Sequence, residues 1–387
     1  GQGSDRFRTL DQQLQQLWAS LEPGAGRDSG SPGPRVVGGF AFQAGGAAHA
    51  PWDRFGDGQF VLPRFTYTRK QDRAWLTLAA SPQELSSPGE RSRWLNETAR
   101  LVTLAISAAQ RLDAEDEDGG FQVSERGVDE WRELLESVKR AIAARELQKV
   151  VLARRVLVRF ERELAPARVL ARLRTSEPNA PRFAFRVSGA TFLGAPPERL
   201  LAKNGLRIET EAVAGSLPAL THGAAEQLLT DEKLLSEHTP VVQDLVERLR
   251  QVADLQTLPE RPYAHRARHI LHLKTPISAT LRTPESALSV LARIHPTPAV
   301  GGYPTAPALR WIAQNEPDER GWYSGPIGWI DSHDNADFAV ALRSGVITRS
   351  EAYLYVGAGI VKDSDADSEF QETRWKLKVL LNALGAS

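Results

Sequence analysis

Glu369, Glu372 and Lys376, in the stretch EFQETRWKLK, are spaced i, i+3 and i+7. On a helix that spacing makes one charged stripe, with Trp375 and the run from Leu377 to Leu381 facing elsewhere. A solvated ion pair between Glu372 and Lys376 is the common use of such a face. Two more carboxylates have unusual neighbours, Glu198 in GAPPERL and Glu237 in EKLLSEH, and Lys149 and Arg343 supply cationic groups. Glycines at strand ends (Gly301, Gly302, Gly325, Gly357 and Gly359) let a backbone approach a ligand closely. Carboxylates with no thiolate to compete suit Mg²⁺, which takes one or two of them together with water and an anionic substrate. This chemistry alone points to a Mg²⁺-assisted enzyme acting on a small dianion.

The 387-residue chain has no cysteine, which removes disulfides, thiolate metal sites and a cysteine nucleophile together. Lys plus Arg equals Asp plus Glu at 48 each, so no net charge favours nucleic acid or an anionic membrane. No apolar run approaches the ~18 residues of a membrane span, and GQGSDRFR lacks a signal-peptide pattern. The expectation is a cytoplasmic protein with a small-molecule ligand.

The elements that must position these residues follow from periodicity. Residues 11 to 21 predict a short helix, followed by the Gly/Pro/Ser-rich PGAGRDSGSPGP, which reads as a loop. The expected division is therefore residues 1–35 as an N-terminal helix and flexible linker, and 36–387 as one catalytic domain. VVGGFAF, GQFVLPRFTYTR and AWLTLAA predict strands, ERSRWLNETARLVTLAISAAQRL a helix, and the acidic run 113–118 a solvated loop. Val128 to about Arg145 carries a helical apolar stripe and leads into the β-branched strand KVVLARRVLVRF, with Lys149 at the junction.

FAFRV, ATFLGA and ERLLAK-NG-LRIETEAVAG follow as strands, with Asn204-Gly205 fitting a two-residue type I′ turn and Glu198 at the mouth of that hairpin. Residues 224 to 252 are helical with an interruption expected at Pro240, and Pro284 to Arg293 form another helix. YSGPIGWI, ADFAVALRSGVI and AYLYVGAGIV read as a meander closed by the helix of EFQETRWKLK. The hairpin-linked strands predict an α+β fold, one large domain of mainly antiparallel sheets covered by helices.

KVVLARR, TFLGAPPERLL, TEAVAGS, EKLLSEH, HILHLKT, HPTPAVGGYP, ERGWYSGPIGWID, DFAVALRSG, YVGAGIV and EFQETRWK occur in one order between residues 36 and 385. In that order the chain resembles the chorismate-utilising enzymes, the family of anthranilate synthase large subunits, aminodeoxychorismate synthase, salicylate synthase and isochorismate synthase, and it looks closest to the last. The resemblance implies two antiparallel sheets in a sandwich with the site in the central cleft. It implies Mg²⁺ held by Glu237 and Glu372 with Glu369 in support, and Lys376 near the ring carboxylate of chorismate. Arg343, Tyr323 and the backbone near Gly357 would bind the pyruvyl carboxylate, and Gly215 and Ala299 would line the substrate.

Isochorismate formation exchanges the C4 hydroxyl of chorismate for a hydroxyl at C2. Water must lose a proton on one ring face while the leaving hydroxyl gains one on the other. Lys149 resembles the general base and Glu198 the general acid, so the lysine must be able to give up a proton and the carboxyl to keep one. His272 would bond the departing or incoming oxygen.

Alone, a lysine opening a strand is more often a surface charge, and Glu198 more often a turn or ion-pair partner. His238 suits a buried polar contact as well as a place behind Glu237, and His295 suits a loop anchor. Leu234 stands where family members commonly have an acidic residue, which puts the support around Glu237 in question. Ala214 stands where some aminodeoxychorismate synthases have a nucleophilic lysine, so covalent catalysis there is excluded. Salicylate synthase and a non-catalytic chorismate-binding protein are the rival functions. No glutamine amidotransferase partner is expected, because water is the nucleophile.

Overall fold

The computed structural model describes residues 1–387 apart from 23–31, 110–118, 220–222, 267–269 and 387. The first helix, α1 (Arg6–Ser20), buries Phe7, Leu10 and Leu14, the helical spacing that makes one apolar face. Phe7 stacks on Phe40 with ring centroids 4.0 Å apart, which seats the helix on β1 (Arg35–Phe40). β2 (Gly58–Val61) pairs with β1, and β3 (Phe65–Lys70) with β4 (Arg73–Leu78) forms a separate hairpin ahead of α2 (Pro88–Ala109).

β5 (Phe121–Glu125), α3 (Val128–Ala143) and β6 (Lys149–Phe160) come next, with Trp131, Leu135 and Val138 of α3 buried. α4 (Pro166–Ser176) is followed by β7 (Phe183–Val187), β8 (Ala190–Gly194), β9 (Arg199–Asn204) and β10 (Arg207–Pro218). Helices α5 (Ala224–Thr230) and α6 (Glu232–Arg250) lead to β11 (Ala253–Thr257), β12 (Tyr263–Arg266) and β13 (Ile270–Leu281). Then come α7 (Ala287–Ile294), β14 (Gly302–Tyr303), α8 (Thr305–Asn315) and β15 (Pro326–Asp331). β16 (Ala336–Val340), β17 (Ser344–Thr348), β18 (Glu351–Ile360) and α9 (Ala366–Leu384) end the chain.

Among the described residues two large antiparallel sheets form. One has nine strands, ordered β11-β13-β10-β9-β16-β15-β1-β2 with β12 on β13; the other has seven, ordered β14-β6-β18-β17-β8-β7 with β5 on β6. Val150, Leu152 and Ile360 of the smaller sheet share one apolar core with Leu200, Ile208, Ile277 and Phe338 of the larger, so the sheets close on each other as a sandwich. α6 packs against β10 and β13, and α9 against β18. The expected α+β architecture of antiparallel sheets covered by helices is the one observed.

Four local expectations are corrected. The hairpin between β9 and β10 pairs Asn204 with Arg207, so its two turn residues are Gly205 and Leu206, one position later than read from the sequence. Of the two only Gly205 has a positive φ, at 58°, the pattern of a turn that takes glycine first (type II′) rather than type I′. The helix over 224–252 restarts at Asp231 and continues through Pro240. Asp231 caps α6 by accepting from the Leu234 amide at 3.0 Å, whereas Pro240 removes a single amide from a helix that buries Val241, Leu245 and Leu249 on the sheet.

ADFAVALRSGVI is two strands in different sheets: β16 lies beside β9 in the larger and β17 beside β8 in the smaller. The chain crosses over at 341–343, where Arg343 has φ 48°, so the stretch is a passage between layers and not a meander. α1 begins at Arg6, five residues before the expected start. The loop over 23–31, the end of the helix after Ala109 and the acidic run at 113–118 lie outside the described residues.

Candidate active site

Both sheets and two helices contribute to one narrow cleft, about 730 Å³ with its open mouth included. β18 exposes Gly357 and Gly359 to it, β10 and β13 bring Gly215 and His272, and the crossover brings Arg343. Glu198, Glu237, Ala299, Tyr323 and Lys376 also line it, and Lys149 reaches Glu237 from the first position of β6. Every residue singled out for catalysis or substrate binding is therefore in or beside a single cavity. Glu372 and Glu369, on α9, are not among its lining residues; Glu372 touches the lining residue Lys376, and Glu369 touches Lys233. A wider neighbouring cleft of about 1440 Å³ shares Pro197, Glu198 and Arg343 with it, so these three form the partition.

Local backbone irregularities aim the side chains. Between Ala214 and Ser216 the register of β10 against β13 slips by one, leaving Gly215 unpaired with φ 78°. This bulge needs a residue that tolerates a left-handed backbone, and it turns Ser216 toward His272. Ser216 Oγ lies 2.9 Å from His272 Nδ1, and Arg343 Nη2 lies 3.1 Å from His272 Nε2. Arginine has no acceptor, so Nε2 accepts and Nδ1 carries the proton that it donates to Ser216. Burial, reinforced by Arg343 and Lys376, pushes the His272 pKa well below its ordinary value, consistent with a neutral ring. Both of its nitrogens are engaged, so His272 reaches a substrate oxygen only by releasing Ser216 or Arg343.

Glu198 is 1% exposed. Burial raises its pKa well above the carboxylate range, Glu211 adds to the rise, and Lys149 and Lys274 oppose it. Its Oε1 has no hydrogen-bond partner, the state of a buried carboxyl with a lone pair or proton to offer. Tyr323 stacks on Tyr355 at 5.5 Å, and burial raises its pKa, so its hydroxyl keeps its proton and can donate. Arg343, likewise buried, also has Glu177 at 3.7 Å.

The carboxylates expected at a metal are each paired with a lysine. Lys149 Nζ is 3.3 Å from Glu237 Oε1 and donates to the Glu237 carbonyl at 3.1 Å. Lys376 Nζ is 2.6 Å from Glu372 and donates to the Gly357 carbonyl at 2.9 Å. Lys233 Nζ is 2.7 Å from Glu369. The Glu372–Lys376 pair does form at i,i+4, but its lysine points into the cleft and not into solvent. In this arrangement no three His, Asp or Glu side chains among the described residues are placed to hold a metal ion. In kind the donors still fit one: all three are hard carboxylate oxygens, and burial with the Glu372 charge raises the Glu369 pKa while Lys233 counters both.

His238 donates to or accepts from Thr275 at 2.8 Å and is buried, and burial with the Lys149 charge lowers its pKa to about 4. Its Nε2 makes a core polar contact, while its Nδ1 is buried without a hydrogen-bond partner. His295 bonds the Phe42 carbonyl at 3.1 Å and anchors its loop. Sequence reasoning missed Ser216, Glu177, Glu211, Lys274 and Lys233. Ser216, Lys233, Glu211 and Lys274 all stand inside quoted motifs, but the pairing of Glu211 with Lys274, 2.6 Å apart, is a cross-strand contact with no local signal.

Gly359 shows how tightly the site is built. A Cβ there would overlap Glu237 Oε1 and lie 3.0 Å from Lys149 Cε. Gly359→Ala is expected to displace both side chains and cut kcat/KM at least tenfold, with overpacking costing about 1–3 kcal/mol of stability. Steady-state kinetics with a thermal melt checks this, and an unchanged kcat/KM contradicts the geometry.

A family model described as chorismate binding enzyme matches residues 1–385. The chain is 35% identical over 366 residues to the isochorismate synthase MenF of Bacillus subtilis, covering 91% of this chain and 75% of that one. It is 33% identical over 395 residues to the salicylate biosynthesis isochorismate synthase of Pseudomonas aeruginosa, covering 100% and 80%. The solved structure of the menaquinone-specific isochorismate synthase MenF of Escherichia coli is similar with a TM-score of 0.75 and 28% identity, covering 97% of this chain and 82% of that one.

Proposed function

The chain belongs to the chorismate-binding enzyme family, and from that premise we propose that it is an isochorismate synthase, an isomerase converting chorismate reversibly to isochorismate. Relatives of that name align along most of its length. The observation that supports the mechanism is a lysine 1% exposed and a buried carboxyl whose pKa burial raises, both at one cleft.

Lys149, in its free-amine form, takes a proton from the water that attacks C2, and Glu198 gives one to the C4 hydroxyl, which leaves as water. One C–O bond forms, another breaks, and the ring double bonds shift between them. Arg343 and Tyr323 hold the pyruvyl carboxylate with the backbone at Gly357, and Lys376 stands by the ring carboxylate. His272 orients Arg343 and, on releasing it, can bond an oxygen on the ring. Gly215 and Ala299 shape the walls.

Glu237, Glu372 and Glu369 would hold a divalent ion, for which Mg²⁺ is the proposal, because all three donors are hard oxygens. When bound it supplies the positive charge that two substrate carboxylates need in a low-dielectric cleft. A small-molecule substrate, a cytoplasmic location and no glutamine amidotransferase subunit complete the proposal. No helix among the described residues is long and apolar enough to cross a membrane.

Salicylate synthase is the second reading, because it forms the same intermediate and then eliminates pyruvate. Against it stands Ala299, a half-buried methyl group in the cleft wall, which offers no hydroxyl to fix the pyruvyl chain in an elimination-ready pose. Incubation with chorismate and Mg²⁺, followed by chromatography and a lactate dehydrogenase-coupled assay, is expected to give isochorismate with little pyruvate. Stoichiometric pyruvate with salicylate fluorescence would make the protein a salicylate synthase, and no turnover would make it a non-catalytic binder.

A further inference from the structure

Of the three lysines facing the acidic group, Lys149 and Lys376 have places in the proposed mechanism and Lys233 has none. Lys233 leaves the first turn of α6 and crosses to α9, where its ammonium is 2.7 Å from Glu369, a side chain only 3% exposed. The same ammonium interacts electrostatically with Glu237 and Glu372. One tethered positive charge thus faces all three carboxylates. Its side chain is 34% exposed, so unlike Lys149, which is enclosed, it has a way out to solvent.

We infer that Lys233 is a placeholder cation that occupies Glu369 when no divalent ion is bound and has to withdraw before one can bind. An ammonium and a divalent ion draw on the same carboxylate and repel each other at short range, so close approach of the ion displaces the ammonium. The ammonium spares the metal-free protein the repulsion of carboxylates crowded between two helices, and it lowers the affinity for the ion by the strength of the bond that is lost. The ion is thereby exchangeable and not permanently resident. This inference rests on the assignment of Glu237, Glu372 and Glu369 to the metal.

Mn²⁺ serves as the probe, titrated into substrate-free protein with free ion read by electron paramagnetic resonance, for wild type, Lys233→Met, Lys233→Arg and Glu372→Gln. Methionine keeps the apolar stem and removes the charge. Lys233→Met is expected to bind Mn²⁺ about tenfold more tightly, the scale of one partly exposed charge-assisted hydrogen bond. Its metal-free melting temperature falls below wild type and its gain on adding Mn²⁺ is larger, while Lys233→Arg, which keeps the charge, tracks wild type. Equal or weaker Mn²⁺ affinity in Lys233→Met overturns the placeholder role and makes the pair a fixed strut between helices. If Glu372→Gln binds Mn²⁺ as wild type does, the metal assignment itself fails, and the placeholder with it.

Discussion

Glu198→Gln is expected to lower kcat by about 10²-fold or more, because glutamine fills the same space and cannot donate a proton to the leaving hydroxyl. KM should change little, since the proposed carboxylate contacts lie on Arg343, Tyr323 and Lys376. A pH series separates the acid from a structural role. Burial, with Glu211 behind it, raises the folded pKa of Glu198, while Lys149 and Lys274 pull it back. The folded protein therefore holds a proton that the unfolded chain has already released, and stability falls as pH rises from about 4.3, the unfolded value, toward the folded one. Glutamine has no such penalty. The melting-temperature difference between Glu198→Gln and wild type should be smallest in acid and move in the variant's favour with rising pH. A wild-type kcat that falls on the alkaline side as Glu198 ionises, and a variant that lacks this limb, would complete the case. A variant with near-normal kcat would assign the proton to another group.

Lys149→Ala should remove the base, with kcat lower by about 10²-fold to 10⁴-fold. The lysine is 1% exposed and held by both the side chain and the carbonyl of Glu237, so its amino group cannot be replaced by a neighbour swinging in from solvent. Alanine also leaves a cavity and strands Glu237 without its partner, so a melt must accompany the kinetics. Lys149→Gln fills much of that volume and should show the same loss in kcat. Partial restoration of the alanine variant by an added small primary amine would mark the lost function as chemical. A raised KM with kcat intact would move Lys149 from catalysis to binding.

The long periodic elements were legible in the sequence. KVVLARRVLVRF is β6 residue for residue, and the α3 stripe buries Trp131, Leu135 and Val138 as the spacing requires. β11 and β12 were not, because they are short, half-exposed strands whose only specification is their pairing with β13. α4 and α8 were not read from the sequence either; α4 opens on Pro166 and α8 carries Pro307 in its first turn, where proline is tolerated. Asp231 outweighs Pro240 because a cap sets where a helix begins, whereas one missing amide weakens a helix already held by its buried face. Gly205 took the first turn position, a one-residue shift that local composition does not fix.

The site divides along the same line. Motifs located Glu198, Glu237, His272, Arg343 and Lys376, and the cleft gathers them. What the sequence could not disclose was the charge pairing, since Lys149 meets Glu237 across 88 positions and Lys233 meets Glu369 across 136. Such contacts depend on which sheet faces which helix. For the same reason His272 could be singled out from its motif, but not the fact that Ser216 and Arg343 already occupy its two nitrogens.

The passage at 341–343 has a mechanical consequence. Arg343 sits on the covalent stretch that joins the two layers, with its guanidinium bonded to His272 of the larger sheet while Ser344, the next residue, begins a strand of the smaller. Sliding one sheet across the other would therefore load that hydrogen bond directly. A dianion gripped by Arg343 and by groups on both walls would act as a rivet through the sandwich. Pulled along the sheet plane in an optical trap, the loaded protein should yield at a higher force than the empty one, although no strand gains a single hydrogen bond.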